Sequence, residues 1–206
     1  MPYQFGVPED IIDRVCQGKL RSSAYSSFMS VLHDKHVIGV NNAYQIGPWL
    51  DFVFFGDGSW FLVHQNKLAM WPGIKVSCAP RFNGAKGSWV KYVSKFHGHK
   101  HGISDNPSKV CWNDNSGAAS ISLAHHLGAK KIYLLGFDMT MDGKFSHWHG
   151  NHGKVPKKGF PYARHLLGFN QIARDAKKMG IKIFVVNKGS AIKTLPVITL
   201  QEALNG

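Results

Sequence analysis

The sequence predicts an α/β fold with a doubly wound, mostly parallel sheet, and three observations support this prediction. Short apolar runs that suit strands alternate along the chain with longer segments whose apolar residues recur at helical spacing. The run at 132–135 is apolar throughout, as is typical of a strand covered on both faces. Polar loops follow several of the runs. The chain of 206 residues is long enough for one substantial core, so a single domain is expected.

The elements follow in a regular order. Residues 8–33 are predicted to be helical in two pieces with a break near Gly18, because Pro8 is followed by acidic residues at a helix start. We expect residues 1–35 to form an N-terminal helical segment and residues 36–206 to form the α/β domain. Within the latter, strands are predicted at 37–40, 51–55, 74–78, 132–135 and 181–186, and helices at 59–70, 116–127 and 164–179.

The stretch 115–138 is the centre of the predicted fold. Its small residues, among them Ser116 and Gly117, let a helix N-terminus approach a ligand or another backbone closely. Unpaired N–H groups and the helix dipole favour an anion at such a position, and a phosphate is the natural candidate. Gly128 ends the helix, and the strand that follows leads to Asp138. The alternative is a purely structural helix, turn and strand.

Polar side chains come directly after several predicted strands. Because the carboxyl ends of parallel strands meet at one edge of a sheet, these residues would line a common crevice. The residues are Asn41, Asn42, Asp57, Asp138, Asn187 and Ser190. Asp57 and Asp138 would serve equally well as loop caps, since Asp beside Gly is common turn chemistry.

Composition restricts the class of protein and of partner. Lys and Arg number 25 against 12 acidic residues, which gives a net charge of +13 and favours an anionic partner. Three widely spaced cysteines indicate neither a disulfide framework nor a thiolate zinc site. No signal peptide or membrane-spanning segment is predicted, so we expect a soluble, cytoplasmic protein.

Two segments allow alternative interpretations. Between residues 82 and 101, Lys86, Lys91, Lys95, His97, His99, Lys100 and His101 are interleaved with Trp89, Tyr92 and Phe96. This pattern suits either nucleic-acid binding or a solvated amphipathic segment whose aromatic residues face the core. The loop 140–162 carries Asp142, His147, His149 and His152. These histidines could bind a metal, but we expect surface groups and no metal.

The order and spacing of several of these short segments resemble those of motifs in the bacterial sialyltransferases that act on lipooligosaccharide, and in their wider superfamily. This superfamily includes flagellin-modifying glycosyltransferases and archaeal 6-hydroxymethylpterin diphosphokinase-like proteins. The similarity covers roughly residues 36–195 and depends on the order and spacing of 37–42, 115–117, 127–128, 132–138, 162–165 and 186–190.

The resemblance implies a Rossmann-like three-layer sandwich that binds a nucleotide-activated sugar, CMP-linked in the sialyltransferases, without a required metal. Asn41, Ser116 and Gly117 match positions that contact the nucleotide, and we place Asn42, Asn115, Asp138, Asn187 and Ser190 in the same predicted site. His165 matches the general base, and Tyr162 could donate a proton to the leaving phosphate. A Gly-rich nucleotide loop is lacking near the N-terminus, where Gly6 to Pro8 matches it only weakly, and Thr140 and Ser146 replace phosphate-contacting tyrosines.

The leading functional hypothesis is transfer of a sugar from a nucleotide-linked donor to an acceptor hydroxyl, and the acceptor itself could be anionic. A second hypothesis is Mg²⁺-dependent diphosphate transfer from ATP to a pterin-like hydroxyl, with Asp57, Asp138 and Asp142 as metal ligands. A third is a non-catalytic protein that binds nucleic acid or phosphate through its basic residues, for which no recognised motif is found.

Overall fold

The β-strands are short, and every pairing between the described strands is parallel. The structure is a computed structural model that describes residues 2–84, 88–97, 101–140 and 162–206. One sheet has four strands in chain order, namely β1 (Ile38–Val40), β2 (Phe52–Phe55), β3 (Ile74–Ser77) and β4 (Val90–Tyr92). Two further pairs join β5 (Ser94–Phe96) to β6 (Lys109–Cys111), and β7 (Lys131–Leu134) to β8 (Lys182–Val185).

Strands β4 and β5 are separated by Val93 alone. The Val93 amide donates to the Ser77 carbonyl of β3 at 3.0 Å. The next amide, that of Ser94, donates to the Ser108 carbonyl at 3.1 Å. Successive amides of an extended chain point to opposite sides, so residues 90–96 bond to β3 along one edge and to β6 along the other. The four-stranded sheet and the β5–β6 pair are therefore joined through this stretch.

In the described ranges five α-helices accompany the strands, together with short 3-10 helices at 2–5, 22–25, 27–32, 41–46 and 80–82. The α-helices are α1 (Glu9–Cys16), α2 (Gly58–Met70), α3 (Ser116–His126), α4 (Tyr162–Met179) and α5 (Leu200–Asn205). Helices α2, α3 and α4 lie where the apolar spacing predicts them. Strands β4 and β5 lie between residues 80 and 107, and β6 begins at Lys109 just beyond them. The sequence predicted no regular element in this part of the chain.

Strand β2 is covered on both faces, which explains its uninterrupted apolar sequence. Its residues Val53 and Phe55 pack in one cluster with Phe61 and Leu68 of α2. The intervening Phe54 packs on the opposite face in a second cluster, which includes Ala119 of α3. Helices α2 and α3 therefore lie on opposite faces of the same strand.

Helix α3 is buried along its first eight residues and connects the two groups of strands. Ala119 and Leu123 face the cluster that contains β2 and β3. Ala118 and Ile121 face another cluster, to which Leu134 of β7 and residues of α4 and β8 belong. Small side chains on this helix are required because neighbouring elements approach it from both sides.

The N-terminal residues form a cluster of their own. Val7, Ile12, Tyr25 and Met29 pack together with Ile46, which belongs to the 3-10 helix after β1. Trp49 Nε1 donates to Ser26 Oγ at 2.9 Å. The helical segment is thereby fixed to the loop that follows β1.

The described chain is a single compact domain of mixed α/β structure with short parallel sheets. Within the described ranges no pairing joins the β7–β8 pair to the other strands, so one continuous Rossmann-like sheet is not observed. No helix in these ranges is both long enough and apolar enough to cross a membrane.

Candidate functional site

Backbone strain is concentrated at the carboxyl ends of the strands. Among the described residues other than glycine, four have a left-handed backbone, with φ of 50° at Asn41, 49° at Asn113, 52° at Asp114 and 52° at Met139. Asn41 follows β1 directly, Asn113 and Asp114 follow β6, and Met139 follows β7. Strain of this kind tends to persist at ligand-binding and catalytic sites, so this edge is the candidate site.

Three of the predicted site residues lie together beyond β7 and β8. Asn187 Nδ2 donates to Asp138 Oδ1. The Ser190 hydroxyl donates to the Phe137 carbonyl at 2.7 Å, and the Ala191 amide donates to the Asp138 carbonyl at 2.9 Å. The two loops are therefore held to each other by hydrogen bonds, and the Asp138 carboxylate accepts one of them from the side-chain amide of Asn187.

The start of α3 is capped by its own side chains. Asn115 Oδ1 accepts hydrogen bonds from the amides of Gly117 at 2.8 Å and Ala118 at 3.3 Å. The Ser116 hydroxyl accepts from the Gly56 amide at 3.3 Å. A Cβ atom at Gly117 would lie 2.8 Å from the Phe137 ring. The amides that the sequence predicted to be open to an anion are thus satisfied by Asn115, and an anion would have to displace that side chain.

The two asparagines after β1 have different surroundings. Asn42 is buried, and its Oδ1 accepts a hydrogen bond from Trp60 Nε1 at 2.6 Å. Asn41 Oδ1 is also shielded from solvent, yet it has no hydrogen-bond partner within the described ranges. A buried carbonyl without a partner costs about 1–3 kcal/mol. Because Asn41 is also strained, it is the predicted nucleotide contact that most needs a partner from a ligand.

The first turns of α4 supply the predicted acid and base. Burial lowers the pKa of His165, Arg164 lowers it further, and the nearby Asp114 partly offsets both effects. Its imidazole is therefore neutral near pH 7, as a general base must be. Burial raises the pKa of Tyr162, and the charge of Asp138, in the loop after β7, raises it further. The phenol of Tyr162 is therefore kept protonated.

Two further residues of this edge were missed by the sequence analysis. Gln4 Nε2 donates to the Val186 carbonyl at the end of β8, and Gln4 Oε1 is buried without a partner among the residues described. Asn113 is fully buried, and its Nδ2 donates to the carbonyls of Gly102 at 3.1 Å and Cys111 at 3.3 Å. The Asn-Asp pair after a strand is a turn signal that could have indicated Asn113. No sequence signal pointed to Gln4.

Asp57, one of the aspartates of the magnesium hypothesis, has local partners. Asp57 Oδ1 accepts from the Ser59 amide at 2.8 Å and the Ser59 hydroxyl at 2.9 Å, so it caps α2. In the part of the chain that the structure describes, no three His, Cys, Asp or Glu side chains are placed to hold a metal ion. The remaining metal-ligand candidates, Asp142, His147, His149 and His152, lie outside the described residues, as does Ser146, which replaces a phosphate-contacting tyrosine of the resembled family.

The basic and aromatic residues of the 82–101 stretch that the structure describes do not share one face. Lys95 Nζ lies 4.2 Å from the ring centre of Trp112, and Lys109 Nζ lies 4.7 Å from that of Phe96. Lys95 and Phe96 are consecutive in β5, so their side chains point to opposite faces of the sheet. Lys86, His99 and Lys100 lie outside the described residues. A continuous nucleic-acid-binding face is therefore not formed by the strand residues that are described.

No protein-family model matches the chain, and neither a curated protein nor a solved structure matches it.

Proposed function

We propose that this chain is a glycosyltransferase-like enzyme that binds a nucleotide-activated sugar, CMP-linked by resemblance, at the carboxyl ends of its parallel strands. The observation that carries the proposal is Asn41 at the carboxyl end of β1, which has a strained backbone and a buried Oδ1 without a partner in the described ranges. His165, whose pKa is lowered by burial, and Tyr162, whose pKa is raised by burial, lie in the first turns of α4. The family resemblance stated from the sequence assigns chemistry to the same three residues.

We further propose that the described strands belong to one Rossmann-like three-layer sandwich. Three observations support this arrangement, namely the parallel pairing, the position of α2 and α3 on opposite faces of β2, and the packing of α3 against both strand groups. In a doubly wound sheet the ligand binds where the strand order reverses. Here that point would lie between the ends of β1 and β7, beside Asn41 and Asp138.

The reaction we propose uses His165 as base and Tyr162 as acid. The imidazole takes the proton of the acceptor hydroxyl as its oxygen forms a bond to the anomeric carbon of the donor. The bond between that carbon and the phosphate oxygen breaks, and Tyr162 gives its proton to the departing phosphate. The charged imidazole then returns a proton to the tyrosine through solvent. No step requires a metal, and Asn41 contributes by holding the nucleotide.

The charge of the chain supports an anionic donor. The net charge is +13. In the described ranges Lys35 pairs with Asp34, and the chain has only 12 acidic residues for its 25 Lys and Arg side chains. Most basic side chains are thus not neutralised by carboxylates. The resulting positive field would attract a nucleoside monophosphate or diphosphate to the protein.

The test is calorimetry with CMP, UDP, GDP and ATP, with and without Mg²⁺, at two salt concentrations. We expect saturable, metal-independent binding of CMP or UDP. Asn41→Ala should weaken this binding about 5- to 10-fold, as expected for loss of a buried hydrogen bond. The matched control is Asn66→Ala, at an exposed position of α2, which should leave the affinity unchanged.

Catalysis is tested separately from binding. His165→Gln should abolish sugar transfer while changing the affinity for the nucleotide less than about 2-fold, since a base acts on the acceptor. A response to ATP that depends on Mg²⁺ would instead support diphosphate transfer. If no nucleotide binds and salt-sensitive binding of DNA or RNA is found, both enzymatic hypotheses are wrong.

A further inference from the structure

The loop after β6 is in direct contact with the first turns of α4. A Cβ atom placed on Gly168 would lie 2.7 Å from Asn113 Cβ and 2.9 Å from Asn113 Cγ. Asn113 cannot move away easily, because it is fully buried and its Nδ2 is bonded to two backbone carbonyls. The glycine therefore lets the helix backbone rest on the Asn113 side chain.

His165 lies on the same face of α4 as Gly168. Residues three positions apart on a helix are neighbours on its surface. The face that contacts Asn113 through Gly168 therefore presents His165 one turn earlier, toward the residue that follows Asn113. That residue is Asp114, whose negative charge acts to raise the pKa of His165.

The loop holds Asp114 in an unusual backbone conformation. Asn113 and Asp114 are both left-handed, with φ of 49° and 52°, and they are consecutive. Two adjacent left-handed residues other than glycine are costly, so they need support from their surroundings. The two hydrogen bonds from Asn113 Nδ2 and the contact with Gly168 provide that support.

We propose that Asp114 is a positioning residue for His165, with a carboxylate that orients the imidazole and stabilises its charged form when the acceptor proton arrives. This inference rests on the proposed role of His165 as general base. A carboxylate beside a histidine fixes which ring nitrogen carries the proton and directs the other nitrogen toward the substrate. Asp114 itself does not touch the reacting atoms.

The surroundings of His165 suit both stages of such a reaction. Burial and the guanidinium of Arg164 favour the neutral imidazole, which can accept a proton. Asp114 acts in the opposite direction and favours the imidazolium. The base is therefore uncharged before transfer, and a counter-charge is already in place when the proton moves.

The first experiment follows the imidazole of His165 by NMR as a function of pH, with the His165→Gln spectrum used for assignment. Asp114→Asn removes the charge but keeps a side chain that tolerates a left-handed backbone, so the variant should fold. We expect the pKa of His165 to be lower in this variant than in the unaltered protein.

A matched control exchanges another aspartate near another histidine. Asp105 is exposed, and its charge acts on His125 rather than on His165. Asp105→Asn should therefore lower the pKa of His125 and leave that of His165 unchanged. If Asp114→Asn does not move the titration of His165, the positioning role is wrong, whether or not the protein transfers a sugar.

Kinetics provide the second readout. In Asp114→Asn we expect kcat to fall about 10- to 100-fold, as for other residues that orient a histidine, with little change in the KM of the nucleotide donor. The acid limb of the pH profile should move to lower pH along with the pKa of His165. If kcat falls together with thermal stability and the acid limb of the pH profile does not shift, the positioning role is contradicted. If the unaltered protein shows no transfer, the proposed function fails and the NMR result still decides the contact.

Discussion

Replacement of Gly168 by alanine tests the contact between α4 and the loop after β6, on which the position of His165 depends. In an ordinary helix interior this change stabilises a protein by about 0.5–1 kcal/mol, because alanine restricts the unfolded chain. At Gly168 the new Cβ would lie 2.7 Å from Asn113 Cβ, 2.9 Å from its Cγ and 3.1 Å from its Oδ1. These are separations at which atoms must move apart.

The magnitude follows from what would have to move. Asn113 is fully buried and donates two hydrogen bonds, so its displacement would break bonds that are each worth about 1 kcal/mol. Overpacking of a buried site costs about 1–3 kcal/mol. After subtraction of the propensity gain, we expect a net loss of about 2 kcal/mol. For a chain of this length that corresponds to a decrease in Tm of about 4–8 °C.

The assay is thermal and urea unfolding of Gly168→Ala beside Gly58→Ala. Gly58 is the first residue of α2, and no atom lies within 4 Å of the position that its Cβ would take. Gly58→Ala should therefore leave the free energy of unfolding unchanged or raise it slightly. If Gly168→Ala is as stable as the unaltered protein, the close packing of α4 on Asn113 is wrong, and with it the geometric basis for the role of Asp114.

Two more predictions concern stability. Asn115→Ala removes the acceptor for the amides of Gly117 and Ala118, so the free energy of unfolding in urea should fall by about 1–2 kcal/mol; a change below about 0.5 kcal/mol would contradict the cap. Burial, followed by His126 and Lys130, lowers the pKa of His125 in the folded state. The unfolded chain then binds protons more readily, so stability should decrease as pH falls below about 6.5. His125→Gln should flatten this decrease in urea titrations between pH 7 and 5, and an unchanged slope would refute the assignment.

The sequence predicted the elements whose signal is local. The apolar run of β2 and the helical spacing of α3 and α4 were sufficient to place these elements within a few residues, because burial on one or both faces leaves a periodic pattern. The polar residues after the strands likewise predicted the edge at which the strained residues are found. Strands β4 and β5 were not predicted, since Lys91 and Lys95 interrupt the apolar pattern and the pairing partners are distant in sequence.

The amino-acid sequence alone determined the α/β class, the excess of positive charge and the residue types available at the strand ends. Only the tertiary structure decided how those residues are used. It showed that the Asn115 side chain accepts hydrogen bonds from the amides at the start of α3. It also showed that the Gln4 side chain donates to the carbonyl of Val186, which is 182 positions away. It also revealed two consecutive left-handed residues, Asn113 and Asp114, in a loop that packs against Gly168 of α4. The physical reason is that periodic burial is recorded in neighbouring residues, whereas strain and hydrogen bonds between distant segments exist only once the chain is packed.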